Sequence, residues 1–474
     1  MNEMIELPEV GNSPCRGLRR LLVAMAASTA ICSAQAADKD PALLGAKLTP
    51  LGGEVAASAD GQIPAWTPPG QQDTGWSYGE VRGQYWKFKG DKPLYSIDAK
   101  NVAQYASKLS PGQLELFKKL PGYRMDIYPT RRSCGAPDFV AENTRKNVGF
   151  ATLDAAGVAL QEAHVPGIPF PMPTTGAEAM WNMKMRYRGL GLEMQGYRVG
   201  ISPRRGGGDW LHSKLDMFAR AGWAQKGSAL FSSTGYIELE SYFLFQEPAA
   251  LAGQAGVVAT NAGEQSTTFY YFPGQRRVRR MPAYSYDAPQ IGMDNQFTID
   301  ESNMFFGPLD RFDWKLVGKQ ELLVPYNSFG ALDTSAKIED VAQKDFIAPE
   351  SRRYELHRVW LVEATVRQGM RHQSPKRQFY IDEDSWTLLL ANDYDKQGNL
   401  WKVREAFPIP VYETGTCDVS AMVQFNLADG RYLYDMFTVG SGKKDHRWLT
   451  EQGNHPRLKY GFYTSDNLRA ISER

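Results

Sequence analysis

The stretch Phe269-Tyr270-Tyr271-Phe272-Pro273-Gly274-Gln275-Arg276-Arg277-Val278-Arg279-Arg280 sets four arginines beside an aromatic run. Guanidinium forks hold carboxylates and phosphates through paired, charge-assisted hydrogen bonds, so the chemistry open to this stretch is recognition of an anion. Aromatic residues favour a pleated surface and Pro-Gly is a turn dipeptide, which predicts two extended segments around a turn. Strand geometry then sends Arg276, Val278 and Arg280 to one face and Arg277 and Arg279 to the other. Each long side chain that is immobilised costs up to about 2 kcal/mol of rotamer entropy, so some of these arginines need compensation. One reading pairs them with Asp294, Asp300, Asp310 and Asp313 in the following segment; the other keeps one face for an anionic head group or a partner protein.

Motifs for bond-making chemistry are poorer. Gly75-Trp76-Ser77-Tyr78-Gly79 has the spacing of a nucleophile elbow, but no buried strand precedes it and another glycine, Gly83, follows where a helix should begin. Asp393, Asp395, Gln397 and Gly398 imitate the start of a calcium loop, yet its twelfth place is Arg404, where a bidentate glutamate is needed. Gly440-Ser441-Gly442-Lys443-Lys444 lacks the earlier glycine of a phosphate loop. The six histidines are dispersed, without a pair at helical ligand spacing, so no metal is expected. Asp382-Glu383-Asp384 and Asp310 to Asp313 sit beside turns, where carboxylates are usually solvated or paired with arginine. No catalytic residue and no cofactor are assigned.

The chain that positions these groups has 474 residues, 42% apolar and 12% aromatic, enough for a large and β-rich core. Beyond residue 36 it carries 51 basic and 50 acidic residues, a balance that excludes the basic excess of a nucleic-acid binder. Arg16, Arg19 and Arg20, the apolar run from Leu21 and the Ala34-Gln35-Ala36 site predict a secretory signal peptide over residues 1–36 and hence a periplasmic protein. Cys134 and Cys417 are the two cysteines beyond it, and in an oxidising compartment they are expected to pair.

Residues 37–95, rich in Gly and Pro, read as an extended arm. Residues 96–190 read as a helical segment, with capping boxes at Ser110/Gln113 and Thr175/Glu178, Asn143 as a further cap, and a short helix through Ile97, Val102, Tyr105 and Leu109. The helix after Thr175 carries Met180, Trp181, Met183, Met185 and Tyr187, which suits either an adaptable lid over an apolar ligand or ordinary core. From residue 191 strands follow one another to 474; Tyr236 to Phe245 alternates Ile237, Leu239, Phe243 and Phe245 against Tyr236, Glu238, Glu240 and Tyr242, as a sheet with one face in the core would. Residues 96–474 are expected to form one structural unit.

Several stretches carry a family resemblance. Leu48-Thr49-Pro50-Leu51-Gly52, Ile63-Pro64-Ala65-Trp66, Gly167-Ile168-Pro169-Phe170-Pro171, Glu178-x-x-Trp181-Asn182, Arg186-Tyr187-Arg188-Gly189, the arginine strand, Asp313-Trp314-x-Leu316-Val317-Gly318 and Arg353 to Trp360 recur in that order. The chain resembles the outer-membrane lipoprotein-sorting (LolA/LolB-like) proteins and most closely the domain-of-unknown-function family thirteen twenty-nine. The resemblance implies an α+β, β-rich fold: a large curved antiparallel sheet, an open half-barrel, with helices in its concavity and an extended N-terminal arm. It further implies a non-enzymatic periplasmic carrier of a lipid or other hydrophobic compound, with a resistance-nodulation-division type exporter and an outer-membrane protein as partners. An envelope carbohydrate or ester hydrolase, or a ligand-free structural adaptor, are the alternatives. The candidate ligand-binding residues are Arg276, Arg277, Arg279, Arg280, Trp181, Met183, Tyr187, Tyr242 and Trp360.

Overall fold

The structure is a computed structural model and describes residues 39–69, 74–204, 207–282, 284–459 and 461–473. The expected signal peptide lies outside the described residues. Among those described, no helix is long and apolar enough to cross a membrane.

Two short strands, β1 (Tyr95–Ile97) and β2 (Met125–Ile127), flank helix α1 (Pro111–Lys119). Helix α2 (Asp138–Asn147) leads to three minor strands, β3 (Thr152–Leu153), β4 (Leu160–Glu162) and β5 (His164–Val165), and to α3 (Gly176–Met185). Then come β6 (Gly191–Ile201), β7 (Leu211–Arg220), the small β8 (Ala229–Leu230), β9 (Ile237–Glu247), β10 (Ala255–Asn261), β11 (Thr267–Phe272) and β12 (Arg277–Arg280). A long loop separates these from β13 (Phe312–Pro325); the one-turn α4 (Ile338–Val341) precedes β14 (Tyr354–Val366). The chain continues through β15 (Lys376–Asp382), β16 (Leu388–Tyr394), β17 (Leu400–Val411), β18 (Thr416–Asn426), β19 (Arg431–Phe437), β20 (Arg447–Leu449) and α5 (Ser465–Ser472).

Sixteen of these strands build one sheet in the order β1-β2-β14-β15-β16-β17-β18-β19-β6-β7-β9-β10-β11-β12, with β13 on β14 and β20 on β6. Its ends do not meet, so the sheet is an open, curved half-barrel, antiparallel apart from the bridge between β2 and β14. Register shifts in β6–β7, β13–β14 and β17–β18 are the kind of bulge that bends a strand and raises its twist. The pairing of Leu433 with Ile201 joins the two halves of the sequence into this one sheet.

Both capping boxes form as the sequence predicts, at Ser110/Gln113 for α1 and Thr175/Glu178 for α3. Two other helix expectations are corrected. Asn143 lies inside α2, where its amide reaches the carbonyls of Pro166 and Gly227 instead of capping a helix. Ile97 is in β1, and the helix after it is a 3₁₀ turn over Val102–Lys108.

The central strands are buried on both faces. α3 and the loop before β13 pack on one side with Phe379, Ala406 and Met422, and α1 packs on the other with Val403, Phe407 and Val423. The alternation along β9 consequently does not separate core from solvent. Glu238, Glu240 and Tyr242 are buried, the two carboxylates by pairing with Lys184 and Arg220, while Leu239 and Phe243 are only partly buried.

The segment before β1 is threaded over the body. Trp386 donates to the carbonyl of Leu51 at 2.8 Å, Arg132 to that of Glu54 at 2.7 Å, and the buried Arg82 binds Glu413 at 2.7 Å and Asp445 at 2.9 Å. Gly52, at φ +102°, lies so close to the carbonyl of Pro171 that a Cβ would collide with it.

Candidate functional site

A cavity of about 180 Å³ opens between β6, β7 and β9 on one side and the loop 284–306 on the other, with the end of α3 closing it. Its wall is mostly apolar: Leu192, Met194, Met217, Leu239, Phe243 and Phe297 are representative. The partial burial of Leu239 and Phe243 is explained by this space.

The loop that roofs the cavity is fixed by ions. Thr298 and Glu301 form a capping box, which turns the loop so that Asp300 and Glu301 point at the sheet. Asp300 there accepts from Arg377 at 2.5 Å and His372 at 2.8 Å, and Glu301 from Lys402 at 2.7 Å. Arg377 and Arg404 in turn share Asp393 at 2.9 and 2.7 Å. Burial opposes charge on these acids, yet the neighbouring guanidiniums hold the carboxyls of Asp300 and Asp393 far below the usual range. Asp393 therefore faces arginines, not a calcium ion, and Arg404, which breaks the calcium motif, is one of its partners.

Five charged side chains reach the cavity wall: Lys184, Arg186, Arg188, Glu238 and Asp435. Lys184 binds Glu238 at 2.7 Å and the carbonyl of Gly307 at 2.7 Å. Arg186 binds Asp418 at 3.0 Å and the carbonyl of Met183 at 2.6 Å; burial lowers its pKa to about 10. Arg188, half-buried, makes no ion pair or hydrogen bond among the described residues. The next residue is Gly189, at φ +83°, where a Cβ would lie 2.8 Å from the carbonyl oxygen of Leu449.

Asp435 accepts one hydrogen bond, from the amide of Met436, and no cation pairs with it among the described residues. It lines the cavity, and burial pushes its pKa up to about 7. A carboxyl raised in the folded state stabilises below its unfolded pKa, and that stability is lost as pH rises through 7. Asp435→Asn is thus expected to match the parent near pH 4 and to exceed it by up to about 4 kcal/mol above pH 7, since each tenfold change in proton affinity is worth about 1.4 kcal/mol. Urea denaturation of both proteins across pH 4–8 checks this; a difference independent of pH would refute it.

The predicted site residues do not converge. Met183 lines the cavity. Trp181 is core, its indole donating to Val158 at 2.7 Å; Tyr187 packs edge-on against Phe139; Tyr242 faces the opposite side of β9 and meets Phe462; Trp360 stacks on Trp386 beneath Lys319. The hairpin of β11 and β12 forms as predicted, with Arg276 in its turn at φ 47° instead of on a strand face. Arg276, Arg277, Arg279 and Arg280 are exposed, and the expected pairing with the acids downstream is overturned. Asp294 binds Arg431 at 2.6 Å, Asp300 binds Arg377, Asp310 accepts from Tyr286 at 2.8 Å and Asp313 binds Arg367 at 3.0 Å. Nearness in sequence fails because β12 is at the sheet margin while Asp300 packs over β15 and β16.

Ser77 of the elbow-like motif is exposed in a turn, its amide donating to Glu80 at 2.8 Å. His357, Asp382 and Asp384 bring one ligand atom each within 4.8 Å of one another, a buried convergence the dispersed sequence positions hide. Arg132 occupies both oxygens of Asp384 at 2.6 and 2.8 Å, and Tyr326 and Ser385 occupy one of Asp382 at 3.0 and 2.6 Å. Burial and the charge of Asp384 raise Asp382 to about 7. Cys134 and Cys417 are bonded next to this cluster, with Cα atoms 5.3 Å apart. The residues the sequence reading missed are Arg188 and Asp435; Arg188 stands inside a family motif but nothing in its spacing marks it as unpaired.

An open curved sheet with an apolar, roofed cavity against its strands defines the class of protein. Residues 96–469 match the family model described as "Protein of unknown function (DUF1329)", and the chain belongs to that family. A Pseudomonas aeruginosa protein named "Uncharacterized protein PA3922" is 36% identical over 428 residues, which are 86% of this chain and 89% of that one. Among solved structures, a DUF1329 family protein from Desulfovibrio piger is 16% identical, with a TM-score of 0.40 over 62% of this chain and 97% of its own. A LolA superfamily protein, NE2245 from Nitrosomonas europaea, is 11% identical, with a TM-score of 0.32 over 62% of this chain and 99% of its own.

Proposed function

We propose that this chain binds a lipid or another hydrophobic compound in the cavity under the loop 284–306, as a periplasmic carrier. The observation that supports the reading is the cavity itself: an apolar wall from three neighbouring strands, a roof held by buried ion pairs, and a few polar groups at fixed places. Ligand pockets have this make-up, apolar area for affinity and a few polar groups for orientation. A hydrophobic cargo in an aqueous compartment needs such shielding, because exposed apolar surface costs about 25 cal/mol per Å². The carrier would serve an envelope transport system, with a resistance-nodulation-division type exporter and an outer-membrane protein as its partners; envelope cross-linking followed by mass spectrometry checks that part.

Leu239→Trp tests the cavity. The larger side chain fills the space between β9 and the roof without adding charge. Native mass spectrometry of the wild-type protein from periplasm is expected to show a co-purifying apolar compound, and the variant is expected to have lost it with its melting temperature within a few degrees. A variant that retains the compound places binding elsewhere.

A further inference from the structure

We propose that Arg188 is the head-group anchor of the cavity and that the ligand is an amphiphile with an anionic head on a single aliphatic chain. The inference rests on the cavity being the binding site and adds the class of compound it takes.

Three cations leave the end of α3 at alternate positions, Lys184, Arg186 and Arg188, and all three reach the cavity wall. Two are already matched, Lys184 by Glu238 and Arg186 by Asp418. Arg188 has no such partner within bonding distance among the described residues. A half-buried guanidinium on an apolar wall has lost part of its water and, beyond the through-space charge of Glu238, gains no hydrogen bond in its place. A carboxylate or phosphate monoester supplies what is lacking, two oxygens in the plane of the guanidinium fork.

The other unpaired group, Asp435, marks the opposite end of the cavity. Asp435 lies near the far end of β6, where Phe437 pairs with Arg198, whereas Arg188 precedes the first residue of that strand by three positions. A negative head is therefore drawn to the Arg188 end, because the Asp435 end offers it no cation among the described residues. Between the two, Leu192, Met194, Leu215 and Met217 offer a continuous apolar track along β6 and β7. The space, about 180 Å³, is close to an engineered apolar cavity of about 150 Å³ that holds a benzene molecule, so it takes the head-proximal part of one chain and not two chains side by side.

The test is calorimetric titration of delipidated, purified protein with three probes of equal chain length: laurate, dodecyl phosphate and 1-dodecanol. At least one anionic probe is expected to bind about tenfold or more tightly than the alcohol, the size of a charge-assisted contact, and whichever is tighter names the head group. Arg188→Ala is expected to bring both anions to the level of dodecanol while leaving dodecanol unchanged, and Arg188→Lys to restore part of the difference. Should Arg188→Ala not fold, Arg188→Gln takes its place and is expected to give the same loss of preference for both anions. Dodecanol binding as tightly as both anions overturns the anionic head, as does an equal loss of all three probes in Arg188→Ala. If no probe binds and Leu239→Trp changes nothing, the cavity reading itself has failed, a result distinct from the loss of head-group preference.

Discussion

Asp393→Ala is expected to destabilise the protein by at least about 3–5 kcal/mol, the cost of breaking a buried ion pair and leaving charge behind. Asp393 serves two guanidiniums at once: Arg377 through Nε at 2.9 Å and Arg404 through two contacts at 2.7 and 3.0 Å. Both arginines are fully buried. Without Asp393, Arg377 retains Asp300 as its ion-pair partner among the described residues, and Arg404 retains a hydrogen bond to Gln424 at 3.1 Å and the longer contact with Glu301 at 3.5 Å. The same residues tie the cavity roof to β15 and β17, so loss of the ligand is expected alongside loss of stability. Guanidinium denaturation measures the first effect. A loss below about 1 kcal/mol would show that the network is solvated in solution and that the roof is held by its apolar contacts alone.

Removal of the Cys134–Cys417 bond ranks with it. The bond spans 283 positions, so in the chain-entropy account its loss releases about 5.6 kcal/mol of unfolded-state entropy, at the upper end for disulfides. The bond ties the segment that carries Arg131 and Arg132 to β18, and both of those arginines reach acids far away, Asp91 and Asp384. Cys134→Ala with Cys417→Ala is expected to lower the denaturation midpoint accordingly, and neither Cys134 nor Cys417 is expected to react with maleimide in the folded, unreduced parent. A double variant with the parent's midpoint would mean that the surrounding ion pairs fix this segment unaided.

Features decided by local backbone chemistry were legible in the sequence. The boxes at Ser110 and Thr175 start helices because side chains three residues apart satisfy each other's amides, and Pro273-Gly274 turns a hairpin because the dipeptide presets its dihedrals. Asn143 misled because an asparagine that can cap a helix can equally cross-link loops from within one. Glu238 and Glu240 misled because a carboxylate beside a cation tolerates burial, so polarity along β9 did not report exposure. Of the cavity wall, Met183 at the end of α3 was legible and the rest was not. Leu239 and Phe243 have the same sequence signature whether they close against a neighbour or face open space, and the difference is made by a loop far downstream, at 284–306. Arg188 and Asp435 matter through the partners they lack, which only the folded chain can show.

The four arginines of the hairpin acquire another meaning from where β12 sits. A sheet that does not close leaves main-chain amides and carbonyls at its margin, a template on which a second polypeptide can crystallise strand by strand. β12 is such a margin, and next to it β11 is an aromatic strand of the kind that seeds fibres when it is uncovered. Arg277, Arg279 and Arg280 stand exposed along it, with Arg276 exposed in the turn before it. A second copy approaching to lengthen the sheet would bring four guanidiniums against four, a repulsion that reaches about 10 Å in 0.1 M salt and shrinks as salt is added. The colloidal behaviour of a concentrated solution, and its response to ionic strength, is thereby written into the strand that in the bare sequence looked most like a binding site.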